Sequence, residues 1–146
     1  MLPTRQELKR RYNRKHGKLV EPKQGWDSLA AELWLAYSMG IKRGFTDLGT
    51  YVNKPGDHGG HPDKRRRPAW AFDLGRKDRF MFKGWGYIKA RKLAKFYWEN
   101  HRALDLEYII LGRRIISRSR PYWHPLTTGD TSHDFHIHVS GHWPGR

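Results

Sequence analysis

The chain has 146 residues, no cysteine, and 29 Lys and Arg against 14 Asp and Glu, a formal charge of +15. That is one ordinary domain, long enough to bury a core unaided, and without thiols it has no thiolate catalysis, no disulfide framework and no Cys-built zinc site. Any metal must be held by His, Asp or Glu, and the positive field draws the protein to polyanions: nucleic acid, anionic lipid or an anionic cell wall.

Residues 1–25 are polar and basic. Within them "PTRQELKRRYNRKHGK" offers Thr4 as N-cap and Glu7 as its capping-box partner, although apolar periodicity is slight. A solvated helix and a basic arm fit equally well. Residues 26–146 read as a single domain. Its first element is "WDSLAAELWLAYSMGIKRG", where Leu29, Leu33, Ala36, Tyr37 and Ile41 follow helical spacing. Asp27 or Ser28 is placed to cap this helix and Gly44 to end it.

A Pro- and Gly-rich loop, "YVNKPGDHGGHPDKRRRP", carries His58, His61 and the basic run Lys64 to Arg67. "AWAFDLG" then reads as a short strand, with Ala69, Ala71 and Asp73 on one face and Trp70, Phe72 and Leu74 on the other. "WGYIKARKLAKFYWENHRAL" is a second helix. "LEYIILGRRIIS" is a strand, or a hairpin if Gly112 marks its turn. After a loop, "FHIHVSGHW" is the last strand. The fold class is therefore α+β, with N-terminal helices packed on a small, mainly antiparallel sheet whose strands carry the His and Asp residues that are candidates for a zinc site. No apolar run reaches transmembrane length. The N-terminal stretch lacks the apolar region of a secretory signal. Synthesis in the cytoplasm, without membrane insertion and as a monomer, is the expectation.

Four of the nine histidines lie in "TSHDFHIHVSGHW": His133, His136, His138 and His142. On a strand His136 and His138 share a face, while Ile137 and Val139 point into the core. Upstream, His58 or His61 and then Asp73 complete a set of one His, one Asp and one His. Three nitrogen and oxygen donors leave a fourth position for water, as catalytic zinc requires. Exposed, solvated histidines are the plain alternative. It suits one histidine better than an H-x-x-H-x-H strand paired with a strand-end Asp.

The pieces "DHGGHPD", "AWAFD", "EYIILGRRIIS", "PYWHPL" and "HDFHIHVS", in that order, resemble the zinc peptidases that include D-Ala-D-Ala carboxypeptidases, murein endopeptidases and phage endolysins. They are closest to a branch found in actinobacteria and their phages. The resemblance spans Gly56 to Trp143 in scattered blocks. It implies a zinc metallopeptidase acting on bacterial peptidoglycan by metal-activated water. Asp73 and His138 would be ligands. His136 would stabilise the developing oxyanion or orient a ligand, and His133 would be the general base. The first ligand is His61, whose twelve-residue step to Asp73 fits the branch, or His58, which fits the "DH" context. Phe135 stands where the carboxypeptidase branch places a Glu, which leaves Asp134 as a second candidate base. Arg67, Trp123 and His124 are the candidate substrate contacts. Without a signal segment, action on the wall would follow release from the cell.

Two other classes compete. "HIHVS" resembles half of a two-histidine phosphoesterase signature, but only His138-Val139-Ser140 has the spacing. A basic nucleic-acid- or wall-binding module would explain the charge and the tryptophans, though not Asp73 with its histidines.

Overall fold

The computed structural model describes residues 1–54, 56–61, 67–76, 84–127, 133 and 135–143. Helix α1 runs Arg5–His16. Thr4 caps it, its Oγ1 accepting the Glu7 N–H at 3.2 Å. Leu8 and Tyr12, one turn apart, are both buried. They belong to the same apolar cluster as the sheet residues Ile137 and Val139. The basic N-terminal segment is thus a packed helix of the common core, not a solvated arm.

The long helix expected from Trp26 onward is interrupted. Two 3₁₀ turns, Trp26–Ser28 and Ala31–Leu33, precede α2, Trp34–Lys42. The cause is tertiary. Leu29 forms a parallel bridge with Ala69. Ala30 N–H donates to the Ala69 carbonyl at 2.9 Å, and Ala69 N–H to the Ser28 carbonyl at 3.0 Å. Those bonds hold Leu29 extended, so helical spacing there is overridden and Asp27 and Ser28 do not cap α2. Gly44 does follow the helix, with φ +92.

The strands are β1 (Thr46–Gly49), β2 (Ala71–Gly75), β3 (Leu106–Leu111), β4 (Arg114–Ser117), β5 (His124–Pro125) and β6 (His136–Gly141), with α3 (Gly84–Glu99) between β2 and β3. Among the described residues they form one six-stranded sheet in the order β1-β2-β6-β3-β4-β5. Every pairing is antiparallel. The fold is α+β. β3 and β4 make a hairpin, and Gly112 in its turn adopts φ 62, the left-handed region that glycine tolerates.

Strand alternation then separates two faces. Phe72, Leu74, Ile109, Ile137 and Val139 turn toward the helices and are fully buried, packing with Leu93, Ala94 and Tyr97 of α3. Asp73, Tyr108, His136, His138 and Ser140 turn to the other face. Because β6 inserts between β2 and β3, the C-terminal histidines lie mid-sheet, with His138 directly opposite Asp73 on one side and Ile110 on the other. No helix among the described residues is long and apolar enough to cross a membrane.

Candidate metal centre

His58, Asp73 and His138 converge on the polar face of the sheet, each offering a ligand atom within reach of the others. Asp73 comes from β2 and His138 from the neighbouring β6. His58 arrives from the loop before β2. That loop is pinned by the Gly56–His61 bridge and by Val52 N–H donating to the His58 carbonyl at 2.9 Å.

The spacing fits one small cation. His58 Nε2 lies 3.2 Å from His138 Nδ1 and 3.2 Å from Asp73 Oδ2. His138 Nδ1 lies 3.0 Å from Asp73 Oδ1. Ligands about 2.0–2.1 Å from a tetrahedral zinc are separated by roughly 3.3 Å; the two nitrogens stand near that spacing, each meets a different oxygen of Asp73, and one ligand atom from each of the three residues lies within 4.8 Å of the others.

The outer hydrogen bonds decide which ring nitrogens are available. His58 Nδ1 sits 2.6 Å from the Thr50 carbonyl, an acceptor only, so the proton is on Nδ1 and Nε2 presents a lone pair inward. Tyr108 donates its hydroxyl proton to Asp57 Oδ2 in a short bond. Its oxygen is therefore left to accept from His138 Nε2, 3.2 Å away. Ser140 Oγ donates to the same Asp57 oxygen at 2.9 Å. Neutral His138 thus also turns a lone pair inward, at Nδ1. Two imidazole lone pairs and a carboxylate facing one another repel unless a cation sits between them, whether a proton or a metal ion. The group could therefore bind a metal. The outer acceptors do for it what they do in known histidine sites: fix the tautomer and the ring orientation.

Electrostatics of the metal-free group agree. Burial alone would raise the Asp73 carboxyl, but hydrogen bonds and charge from His138 and His58 outweigh it and hold Asp73 well below the usual carboxylate range. Burial alone would lower His58, yet Asp73, the Thr50 carbonyl and Asp57 together raise it. The group keeps an open side: the Asp73 side chain is 22% exposed and that of His138 only 7%.

Two further histidines border it. His136 Nε2 stands 3.6 Å from Asp73 Oδ1. The His133 ring is centred 4.8 Å from that of His136 and 5.6 Å from that of His138. Gly112 of the β3–β4 turn anchors His133 by donating to its carbonyl at 3.1 Å.

Other expected site residues fall elsewhere. Of the two candidate first ligands, His58 joins the group and His61 does not: the His61 ring packs edge-on against Trp143 at 4.8 Å. Its twelve-residue step to Asp73 does not bring it into the group: its backbone bridges Gly56 and its ring packs on Trp143. Trp123 packs against the core beside Leu111 and Arg114, on the helical side of the sheet, away from the group. His124 pairs with Ile115, and Ile115 with Ile110, so it lies in the row of Asp73 and His138 but at the sheet's edge. Arg67 contacts Asp27 at 3.4 Å and covers the Tyr51 ring at 4.5 Å. Lys64, Arg65, Arg66 and Asp134 lie outside the described residues.

Sequence reasoning gave no role to Thr50, Asp57, Tyr108 or Ser140. Two of them had a readable signal. Ser140 is two residues beyond His138, and Tyr108 two before Ile110, so strand alternation alone puts both on the polar face. Asp57 and Thr50 reach the site through loop tertiary structure, which spacing does not encode.

Compared with protein-family models, with curated proteins and with solved structures, the chain matches none. What fold and site define is an α+β domain with a three-residue His/Asp/His group able to hold a metal ion.

Proposed function

We propose that the chain is a zinc-dependent peptidase of bacterial peptidoglycan, hydrolysing an amide bond in stem or cross-bridge peptide. The observation that carries this reading is the meeting of His58 Nε2, His138 Nδ1 and the Asp73 carboxylate at 3.0–3.2 Å, with the outward nitrogens of both rings committed. The ordered motifs that resemble cell-wall zinc peptidases add the substrate class. A zinc ion held by these three residues would lower the pKa of a bound water and polarise a peptide carbonyl. His133 and His136 supply what the ligands cannot. His133, its ring 5.6 Å from that of His138, would take the water's proton as general base. His136 donates a hydrogen bond to the oxygen on which charge develops. Phe135, in the position of the carboxypeptidase Glu, leaves the proton to a histidine. Wall action after release from the cell goes with this reading.

Two comparisons favour it over its rivals. A phosphoesterase of the two-histidine type needs a second His-x-Ser/Thr, and no other of the nine histidines has one. Ser140, the serine of the single copy, gives its hydroxyl proton to Asp57. A pure binding module has no use for two lone pairs aimed at a carboxylate.

The test begins with metal content. Untagged protein is expected to hold about one zinc per chain, and Asp73→Ala and His138→Ala to hold almost none. The loaded protein should release new amino groups from purified walls. His136→Ala should keep its zinc and lose most of that release, since positioned acid–base and oxyanion groups each contribute on the order of 10²–10³-fold. Wild-type protein that takes up no zinc, or loaded protein that frees no amines from any wall type, would end the proposal.

A further inference from the structure

A groove of about 560 Å³ lies on the opposite side of the sheet from the metal group, between α3 and the β3–β4 hairpin. Arg91, Lys92 and Lys95 approach it from the helix and Arg114 from β4. Arg91 and Lys95, one turn apart, mutually repel on the same helical face. Among the described residues Arg91, Lys92 and Arg114 face no carboxylate. Lys95 has Glu99 at 3.8 Å, in an exposed pair that water screens. Four cations gathered from two elements around one concavity cost the fold stability, and an anionic ligand in the groove would repay it. The helical side continues the theme: a second groove is bordered by Arg11, Lys15, Lys42 and Arg43. The polar sheet face carries Asp57, Asp73 and Glu107. The cationic grooves thus lie on the helical side and the metal group on the other.

We propose that the groove between α3 and the β3–β4 hairpin binds a phosphodiester-linked polyol polymer of the bacterial wall, anchoring the protein while the opposite face works on peptide. The choice of wall polymer over other polyanions rests on the function proposed above. The groove itself also disfavours single-stranded nucleic acid, which is held by bases stacking on free aromatic faces. Here the Arg91 guanidinium lies over the Tyr87 ring at 5.8 Å, and Trp123 is packed against the core. Beside the apolar lining of Ile88, Ala94 and Leu111, the polar groups on offer are the four cations, which suit phosphates without bases. Binding on the far face does not compete for the peptide cleft. It raises the local concentration of peptide, as any tether does.

The experiment is co-sedimentation at low ionic strength and low temperature. It compares intact walls with walls stripped of phosphodiester polymer by hydrofluoric acid, and adds a single-stranded oligonucleotide as competitor. Three proteins are compared: wild type, the triple variant Arg91→Ala/Lys95→Ala/Arg114→Ala, and a control, Lys9→Ala/Arg10→Ala/Arg14→Ala, which removes equal charge from the exposed face of α1. Wild type should bind intact walls roughly 10- to 100-fold tighter than stripped walls, the scale set by about three cations at an anionic surface. The groove variant should lose that difference and the control should keep most of it. Restoring charge with Arg91→Lys/Arg114→Lys should leave binding near wild type, which separates charge from folding. Equal loss in the control would overturn the groove in favour of net charge. An oligonucleotide that binds the groove more tightly than the wall would replace the polymer with nucleic acid. Amine release from soluble, polymer-free peptidoglycan fragments is measured in parallel. If that is absent while groove-dependent binding persists, the peptidase reading fails alone.

Discussion

At the scale of single residues, three atoms decide whether a metal is held, and the decisive contrast is between two histidines three positions apart. His58→Ala removes a donor and should abolish stoichiometric zinc, whereas His61→Ala removes a ring that packs edge-on against Trp143 outside the group and should leave zinc content unchanged. Elemental analysis of the two variants reads this directly, and the reverse pattern would restore His61 as the ligand. Tyr108→Phe makes a subtler point. It deletes the acceptor for His138 Nε2 and a donor to Asp57 without touching a ligand. Loss of such an outer partner typically weakens metal affinity about 10–100-fold, measurable by competition with a chelating dye.

Proton linkage at the same group has a definite sign. His58 is raised above its ordinary value of 6.5 by its carboxylate neighbour, although burial opposes this. The stability it contributes to the metal-free protein is therefore complete below 6.5 and lost as pH rises through the raised value. Asp73, held low by the histidines, works in the opposite sense. Its contribution is present above the ordinary 3.8 and fades only as pH falls through its depressed value. Between those limits both partners are charged. Wild type should thus exceed His58→Gln in thermal midpoint by more at pH 6 than at pH 8 when metal is stripped. Zinc bound at His58 would expel its proton, so affinity should climb over the same interval. A stability difference that grows toward pH 8 would contradict the assignment.

Elements are where the sequence was most and least informative. Alternation placed Ile137 and Val139 of "FHIHVSGHW" in the core and His136 and His138 on the other face, and in "AWAFDLG" it set Asp73 apart from Phe72 and Leu74, because a strand with one buried face has no other register to adopt. The "LEYIILGRRIIS" hairpin with its turn at Gly112 was equally readable. The Trp26 segment was not, since backbone bonds from Leu29 and Ala30 to Ala69 lie outside any local window. β1 was missed for a related reason: four residues carry too little alternation to register. Close packing between elements was also invisible, and Gly40 of α2 shows its cost. A Cβ there would collide with Leu74 and with the Tyr97 hydroxyl, which is itself fixed by a 2.5 Å bond to the Ala36 carbonyl. Both neighbours are fully buried and have nowhere to go. Gly40→Ala should therefore destabilise by about 1–3 kcal/mol, the usual range for overpacking. At Gly75 the nearest atoms a Cβ would meet belong to Leu48, which is 55% exposed and free to swing aside, so Gly75→Ala should cost clearly less. Chemical denaturation of both variants tests the ranking, and equal losses would mean the α2–sheet contact yields more readily than its geometry implies.

For the whole molecule, the metal group is also a clasp. Its ligands come from the 56–61 loop, from β2 and from β6, so one ion would tie segments near the middle of the chain to its last strand. The sequence announced this tie by its residue types, Asp73 and H-x-x-H-x-H. It did not announce that β6 would insert between β2 and β3, which is what makes His138 and Asp73 neighbours. A ligand that binds only the folded chain stabilises it by RT ln(1 + [L]/Kd), about 2.7 kcal/mol at a hundred times Kd. For a domain near this size, each kcal/mol raises the midpoint by about 2–4 °C. Free zinc in that excess should therefore lift Tm by roughly 5–10 °C, a chelator should reverse the shift, and Asp73→Ala should show almost none of it. Magnesium, which prefers six oxygen ligands and holds its water tightly, should do far less at equal concentration. A Tm indifferent to zinc in the wild type, or raised equally in Asp73→Ala, would mean that the two lone pairs and the carboxylate share nothing larger than a proton.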